Sequence, residues 1–506
     1  MQSKKPLHFV TALLLLSTAI TFFAGCKKPI SEEENSQNET RPRNTETVEP
    51  EAYPDLNGET FIFHTCTSAV SGFETSNLFV EGTDDKKAHP VSQTAYSRNM
   101  FIQEKLNTDI QYVQNDMRYE QVGSYYQNLF LADDSVDLVI NKLYPLATMS
   151  INGLFTNVAN NNAFDFYSGY WYTEYMNSLS LDDGNTCYLL AGDYFIDVLR
   201  ASGLLIYNDK LFDDLYSADG GSVTLEQTVY DGNWTMELFL QYVNETYRSN
   251  GGGSKSPNDQ YGFLSSQIWY NGITSFVGAA DLHYVSEDRL RLEMNNDRSL
   301  YLLDSLKNLY YGEGCVPFKR LPGTKVVELA FEGTPMNLFG AGKGLFLGQM
   351  RFANMEQLTN VEHWAVLPYP KLDDTQSDYV TPSDELTEVG AIPRRCAKKE
   401  RLLTLLEYLN RTTAETVMSD YYSACLQYRY SKTPEMRKMV IFIHDHIRGA
   451  FEQAYNNYVG NNFMWNPFYV PVLDELEFTS SYRKAEKEAN SQLERMMNNW
   501  ERYMEN

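Results

Sequence analysis

Residues 60–64 (Thr60-Phe61-Ile62-Phe63-His64) and 136–140 (Val136-Asp137-Leu138-Val139-Ile140) carry the reading of the fold. The first run follows the turn pair Asn57-Gly58. Both are short and apolar, the pattern of a strand buried on both faces. Between them, residues 95–106 (AYSRNMFIQEKL) and 119–131 have helical spacing, and residues 109–113 between those helices are strand-like. Strand, helix, strand, helix, strand predicts a parallel sheet with helices on its faces. Ligands of open sheets sit outside the carboxyl ends of the strands. The loops that begin at Cys66 and at Asn141 are therefore expected at a cleft.

A second group of elements opens at Gly203-Leu204-Leu205-Ile206-Tyr207-Asn208, another apolar strand. A helix is expected over 234–247 with Asn233 as its cap, and Gly251-Gly252-Gly253-Ser254 is a flexible turn. Helices are expected over 300–310, 398–409, 437–455 and 475–503, and strands over 344–347 and 364–367, the latter ended by Pro368-Tyr369-Pro370. Trp234 and Trp364, at the start of a helix and of a strand, read as core.

The N-terminus sets the compartment. Lys4 and Lys5 precede an apolar run from Leu7 to Ala24, and Phe23-Ala24-Gly25-Cys26 closes it. A basic start, an apolar stretch and small residues before the cut describe a secretory signal. A cysteine after Ala-Gly resembles the bacterial lipoprotein signal. That resemblance implies that residues 1–25 are removed, that Cys26 takes lipid on its sulfur, and that the protein is anchored extracytoplasmically on the outer face of the cell membrane. Residues 26–55 hold few large apolar side chains and several glutamates, the composition of a flexible acidic tether.

A chain of 506 residues exceeds one ordinary core and suits two or more lobes. The formal charge of −25 argues against a nucleic-acid partner, because phosphate contact needs a basic surface. Tyrosines number 36 and tryptophans 6, and such rings suit sugar- or peptide-binding surfaces as well as cores. With Cys26 lipidated, Cys66, Cys187, Cys315, Cys396 and Cys425 remain. Their wide spacing suggests neither a zinc site nor a redox pair, and leaves any disulfide pairing open.

Several segments, in this order, resemble an extracellular solute-binding protein of an ABC importer, of the maltose-binding-like class. They are the Cys26 motif, Phe61-Ile62-Phe63, Glu104-Lys105-Leu106-Asn107, residues 203–212 (GLLIYNDKLF), residues 233–237 (NWTME), residues 342–347 (GKGLFL), residues 364–371 (WAVLPYPK) and Gly390-Ala391-Ile392-Pro393. The resemblance spans residues 55–470. It implies an α/β, two-lobed type 2 periplasmic-binding-protein fold with a hinge and an interlobe cleft. Lobe 1 would cover 56–200 and lobe 2 201–388, with 389–506 returning to lobe 1 and adding C-terminal helices. It further implies a monomer that captures a small molecule, most simply a carbohydrate or oligosaccharide, and delivers it to membrane permease subunits. No cofactor, metal or chemistry is implied.

The resemblance also nominates ligand contacts. Trp269 and Tyr270 would form a stacking platform in lobe 2, or belong to its core. Arg351 follows a strand where a guanidinium could hold hydroxyls or a carboxylate. Asp193 could accept two sugar hydroxyls or serve as a turn residue, with Tyr194 beside it. Asn141 and Ser68 lie in the loops after the third and first strands. Trp171 is cleft wall or core, and Trp465 resembles the late aromatic contact of the class. Other motifs point elsewhere and fail. His444-Asp445-His446 would face different sides of a helix, and Gly340-Ala341-Gly342-Lys343-Gly344 lacks the Ser or Thr of a phosphate loop. The paired aspartates 133–134, 182–183 and 373–374 are neighbours in turns rather than an acid and its partner across a bond. The competing readings are a receptor for a peptide or other polar solute, a SusD-like surface glycan-binding lipoprotein, and an exported hydrolase.

Overall fold

A computed structural model describes residues 53–67, 77–132, 135–182, 184–217, 224–282, 284–427 and 433–504. Cys26, Ser68 and residues 27–52 of the tether lie outside the described residues. Among the described residues the strands are β1 (Glu59–Cys66), β2 (Thr108–Asn115), β3 (Leu138–Lys142), β4 (Gly203–Tyr207), β5 (Tyr261–Leu264), β6 (Phe318–Arg320), β7 (Val327–Leu329), β8 (Gly344–Arg351), β9 (Ala365–Leu367), β10 (Thr381–Pro382), β11 (Glu388–Ala391) and β12 (Ile447–Arg448).

The first sheet has the order β11-β3-β1-β2. β1 runs parallel to both β2 and β3, as the alternation of strands and helices predicts, and β11 pairs antiparallel to β3. β3 is buried along its whole length, because it lies between two strands and under helices. Phe61, Phe63, Leu138 and Ile140 supply the core of this lobe. Helix Pro90–Leu106 starts on a proline, whose missing N–H costs nothing there, and stops at Asn107 in a left-handed cap.

The second sheet has the order β5-β8-β4-β9. β4 is antiparallel to β8 and β9, and β5 is parallel to β8. Trp234 and Trp364 are buried as expected. The helix expected from Trp234 begins at Met236 instead, capped by Thr235. Trp234 is drawn into the core, where its indole N–H donates to the Pro368 carbonyl at 3.0 Å and its backbone N–H to the Tyr379 hydroxyl at 3.1 Å. Those bonds hold it out of the helix.

The helix expected over 437–455 is interrupted. Pro434–Asp445 and Phe451–Tyr455 are helical, but β12 lies between them and pairs with β10. Gly449 allows this: a Cβ there would stand 2.6 Å from Ser178 Oγ and 2.9 Å from the Tyr175 carbonyl. The C-terminal helix Phe478–Met504 touches helix Leu143–Ile151 of the first lobe. It also touches the turn Trp465–Tyr469, which packs on helix Tyr270–Ala279 of the second. The chain end thus reaches both lobes. Cys66, Cys187, Cys315 and Cys396 are buried.

Candidate functional site

Two crossings join the sheets. Helix Asp197–Arg200 leads through Ser202 into β4, and β10 leads through Asp384 into β11. They run side by side: Ser202 bridges Ser383, and the Asp384 N–H donates to the Ala201 carbonyl at 3.3 Å. β3 ends at Lys142, opposite Glu388 at the start of β11. β8 ends at Arg351, opposite Gly203 at the start of β4, and β5 runs parallel to β8. Both sheets therefore turn the carboxyl ends of β1, β3, β5 and β8 toward the crossings, where an open sheet binds its ligand.

The first-lobe rim is charged and closed. Lys142 Nζ donates to Glu388 Oε1 at 2.5 Å, the Glu388 N–H donates to Asp197 Oδ2 at 2.9 Å, and Arg200 pairs with Asp197 Oδ1 at 3.2 Å. The Arg200 guanidinium lies 4.3 Å from the Phe79 ring centroid. All four charged residues are buried, and Glu388 Oε2 has no hydrogen-bond partner. Burial pushes the Glu388 carboxyl above the usual carboxylate range despite Lys142. Burial works against the Lys142 ammonium, yet Glu388 and Asp197 hold it above its ordinary value. Beside this network, Tyr144, in the first turn of the helix after β3, meets exposed Tyr119 edge-on, with ring centroids 5.5 Å apart.

The second-lobe rim is open, and neutral but for Arg351, whose charge is tied to the hinge. After β5 the chain runs Ser265-Ser266-Gln267 to Trp269, which precedes helix Tyr270–Ala279. Trp269 is 43% exposed, and it is the one tryptophan among the large exposed apolar side chains of the described residues. At the end of β8, Gln349 reaches across to residues 266–267. Arg351 is half-buried and ion-paired to Asp384 on the second crossing. It ties the lobe to the hinge.

The nominated residues separate accordingly. Trp269 and Arg351 stand on the second-lobe rim, and Tyr270 opens the helix beside Trp269, its side chain lying outside the described set. Asn141 is the last but one residue of β3 on the first-lobe rim but is fully buried, its Oδ1 accepting the Lys142 N–H at 2.8 Å. Asp193, Tyr194 and Trp171 are packed inside the first lobe. The Tyr172 hydroxyl donates to Asp193 Oδ1 at 2.8 Å, and His444 Nε2 lies 3.9 Å from it. Burial pushes the Asp193 carboxyl up to about 6, against the pull of His444 and of the Tyr172 bond. The Tyr194 hydroxyl meets that of Tyr112 at 3.2 Å under the Arg98 guanidinium. The Trp171 indole donates to Glu407 at 2.7 Å. Trp465 is half-buried against Tyr469, centroids 4.4 Å apart.

Sequence reasoning did not single out Tyr119, Tyr144, Lys142, Glu388 or Gln349. Tyr144 and Lys142 could have been found, since they adjoin Asn141 at a strand end already flagged as a cleft edge. Glu388 could not, because its partner lies 246 residues away. Among the described residues no cluster of His, Cys, Asp and Glu could hold a metal ion. No described helix is long and apolar enough to cross a membrane.

No protein-family model matches the chain, and no curated protein sequence does. Solved structures match over most of its length. The sugar-binding protein MalE of Xanthomonas citri is 13% identical, with 87% of this chain and 99% of that one covered and a TM-score of 0.58. A cyclo/maltodextrin-binding protein complexed with maltotetraose is 12% identical, with 88% and 98% covered and a TM-score of 0.53. An ABC substrate-binding protein of Listeria monocytogenes in complex with cycloalternan is 13% identical, with 87% and 100% covered and a TM-score of 0.50. The fold is therefore the two-lobed α/β fold of periplasmic binding proteins, with a hinge at the paired crossings and a cleft between the lobes. Within that fold, the chain resembles the solute-binding proteins of the MalE kind.

Proposed function

We propose that this protein is the solute-binding component of an ABC importer, capturing a carbohydrate or oligosaccharide between its lobes and handing it to a membrane permease. One observation carries the reading. In the fold of proteins described as binding sugars and maltodextrins, this chain presents Trp269 at one rim of the cleft and the Tyr119–Tyr144 pair at the other. Flat aromatic faces beside polar groups suit sugar rings, which present C–H faces and hydroxyl edges. A ligand touching both rims would stabilise the closed form, since only contacts made in that form can shift the population.

The protein binds and performs no chemistry in this reading. It acts as a monomer outside the cytoplasm, held at the membrane by lipid on Cys26 after loss of residues 1–25. Substrate contacts are assigned to Trp269, Tyr270, Tyr119 and Tyr144. Arg351 and Trp465 border the cleft, and Ser68 is assigned as a further contact.

A thermal-shift screen of residues 27–506 tests this, using mono- and oligosaccharides, amino acids and short peptides. A ligand at about a hundred times its Kd should add roughly 2.7 kcal/mol of stability. A shift with one glycan class supports the proposal. A shift confined to peptides or amino acids would replace the carbohydrate with that solute. Metabolic labelling with palmitate, lost in Cys26→Ala, tests the anchor.

A further inference from the structure

β8 carries an irregularity next to the cleft. Leu204 pairs with Met350 and Ile206 with Leu347, so one residue of β4 faces two of β8, Gly348 and Gln349. This is a β-bulge, a device that re-aims a side chain. Gln349 has φ of 60°, in the left-handed region that disfavours residues with a Cβ. The other non-glycine residues with positive φ lie in turns and caps, and none of them is inside a strand. Strain of this kind persists only where the surroundings over-determine it, and it gathers at ligand sites.

The bulge sends the Gln349 amide to the segment that carries Trp269. Its Nε2 donates to the Gln267 carbonyl at 2.9 Å, and its Oε1 accepts from the Ser266 hydroxyl at 3.2 Å. Gly272, in the first turn of the following helix, leaves the needed space: a Cβ there would stand 2.8 Å from Gln349 Cγ and Nε2. From the far side, Gln267 bridges Glu328, and the Ile268 N–H donates to the Val327 carbonyl at 3.1 Å. The peptide between Gln267 and Ile268 is thus gripped from both sides, while the Trp269 ring is exposed and makes no capping bond.

We propose that Gln349 is a positioning residue. Its bulged, left-handed backbone and its amide fix Trp269 as the ring platform of the second lobe, and so set the affinity of the cleft for ligands with a flat sugar face. This rests on the carbohydrate reading above. Preorganisation of this kind raises affinity by removing the cost of ordering the loop on binding.

The test uses the full chain and Gln349→Gly. Glycine is relaxed at this φ, so the backbone keeps its conformation while the amide is lost. Two readouts are taken. Hydrogen exchange at the Ile268 amide should quicken at least tenfold, with the melting temperature unchanged or raised. Affinity for the glycan that stabilises the wild type, with maltotetraose as the first probe, should fall about tenfold. Gln349→Asn, which tolerates the same backbone but is one carbon short, should behave like Gln349→Gly. Gly272→Ala should reproduce the exchange effect by displacing the side chain.

Unchanged exchange at Ile268 in Gln349→Gly overturns the proposal, as does a lowered melting temperature with unchanged affinity, the mark of a purely structural residue. If the wild type binds no glycan, the carbohydrate reading fails, and the exchange readout still decides whether Gln349 holds the loop.

Discussion

The two rims of the cleft are built from opposite materials. The first lobe closes its rim with Lys142, Glu388, Asp197 and Arg200, all buried and bonded to one another across β3, β11 and the first crossing. The second lobe leaves its rim to Ser266, Gln267 and Gln349, with Trp269 partly exposed to solvent. Buried charge is expensive to desolvate and demands fixed partners, so the first rim sets the geometry of the hinge. Neutral polar groups and an exposed ring have little to lose on meeting a ligand, so the second rim is free to recognise one. The difference suits one edge to stability and, in the proposed reading, the other to affinity.

That division makes separable predictions. The largest effect is expected from Lys142→Met, which strands the Glu388 carboxylate without its partner. Urea denaturation at pH 8 should show a loss of about 3–5 kcal/mol. The loss should be smaller at pH 5, where Glu388 can take a proton instead. Adding Glu388→Gln should recover part of it. A comparable loss of glycan affinity at unchanged stability would place Lys142 in recognition.

Next in size is a pH effect. Asp193 has its carboxyl raised by burial to about 6 from an ordinary value of 3.8. The folded protein therefore holds a proton there more tightly than the unfolded chain does. The stability this confers is full below about pH 3.8 and is lost as pH rises through about 6. The difference is on the order of 3 kcal/mol over that window. Asp193→Asn should flatten this part of the stability profile and leave glycan affinity unchanged. A fall in affinity would return Asp193 to the ligand contacts.

Trp269→Ala should do the reverse. Because the ring is exposed, the melting temperature should hold, while affinity for the stabilising glycan falls about tenfold, or roughly 1.4 kcal/mol. Calorimetry reads the first and titration the second. A large loss of apo stability would make Trp269 a core residue. Smallest is Tyr119→Ala on the opposite rim, where the partner ring of Tyr144 remains. Roughly a threefold loss, about 0.6 kcal/mol, is expected, and an effect larger than that of Trp269→Ala would reverse the assignment of the rims.

How far the chain could be read in advance follows from the range of each interaction. β1, β2 and β3 were legible because a strand buried on both faces is a local apolar run, and the helices between them show a local period. Trp234 was legible as core, but its cap was misplaced, because the bonds that pull it inward come from Pro368 and Tyr379, more than a hundred residues on. The helix expected through residue 447 broke for the same reason, with β10 supplying a competing partner. Among the site residues, Trp269 was nominated and stands exposed at a rim. Asp193, Tyr194 and Trp171 have equally suitable chemistry but are enclosed by Tyr172, Tyr112 and Glu407. No local pattern distinguishes a buried aromatic from an exposed one.

By itself, then, the sequence determined the class of fold and the strand ends at which a cleft must lie, and its net charge argued against a nucleic-acid partner. These depend on periodicity and charge, which are properties of neighbouring residues. Only the tertiary structure decided which side chains reach the cleft, that Glu388 meets Lys142 across the sheet, and that a strained Gln349 reaches the loop of Trp269. Those facts depend on which distant segments share a surface. That is set by the packing of two sheets around a pair of crossings, and no stretch of chain carries it alone.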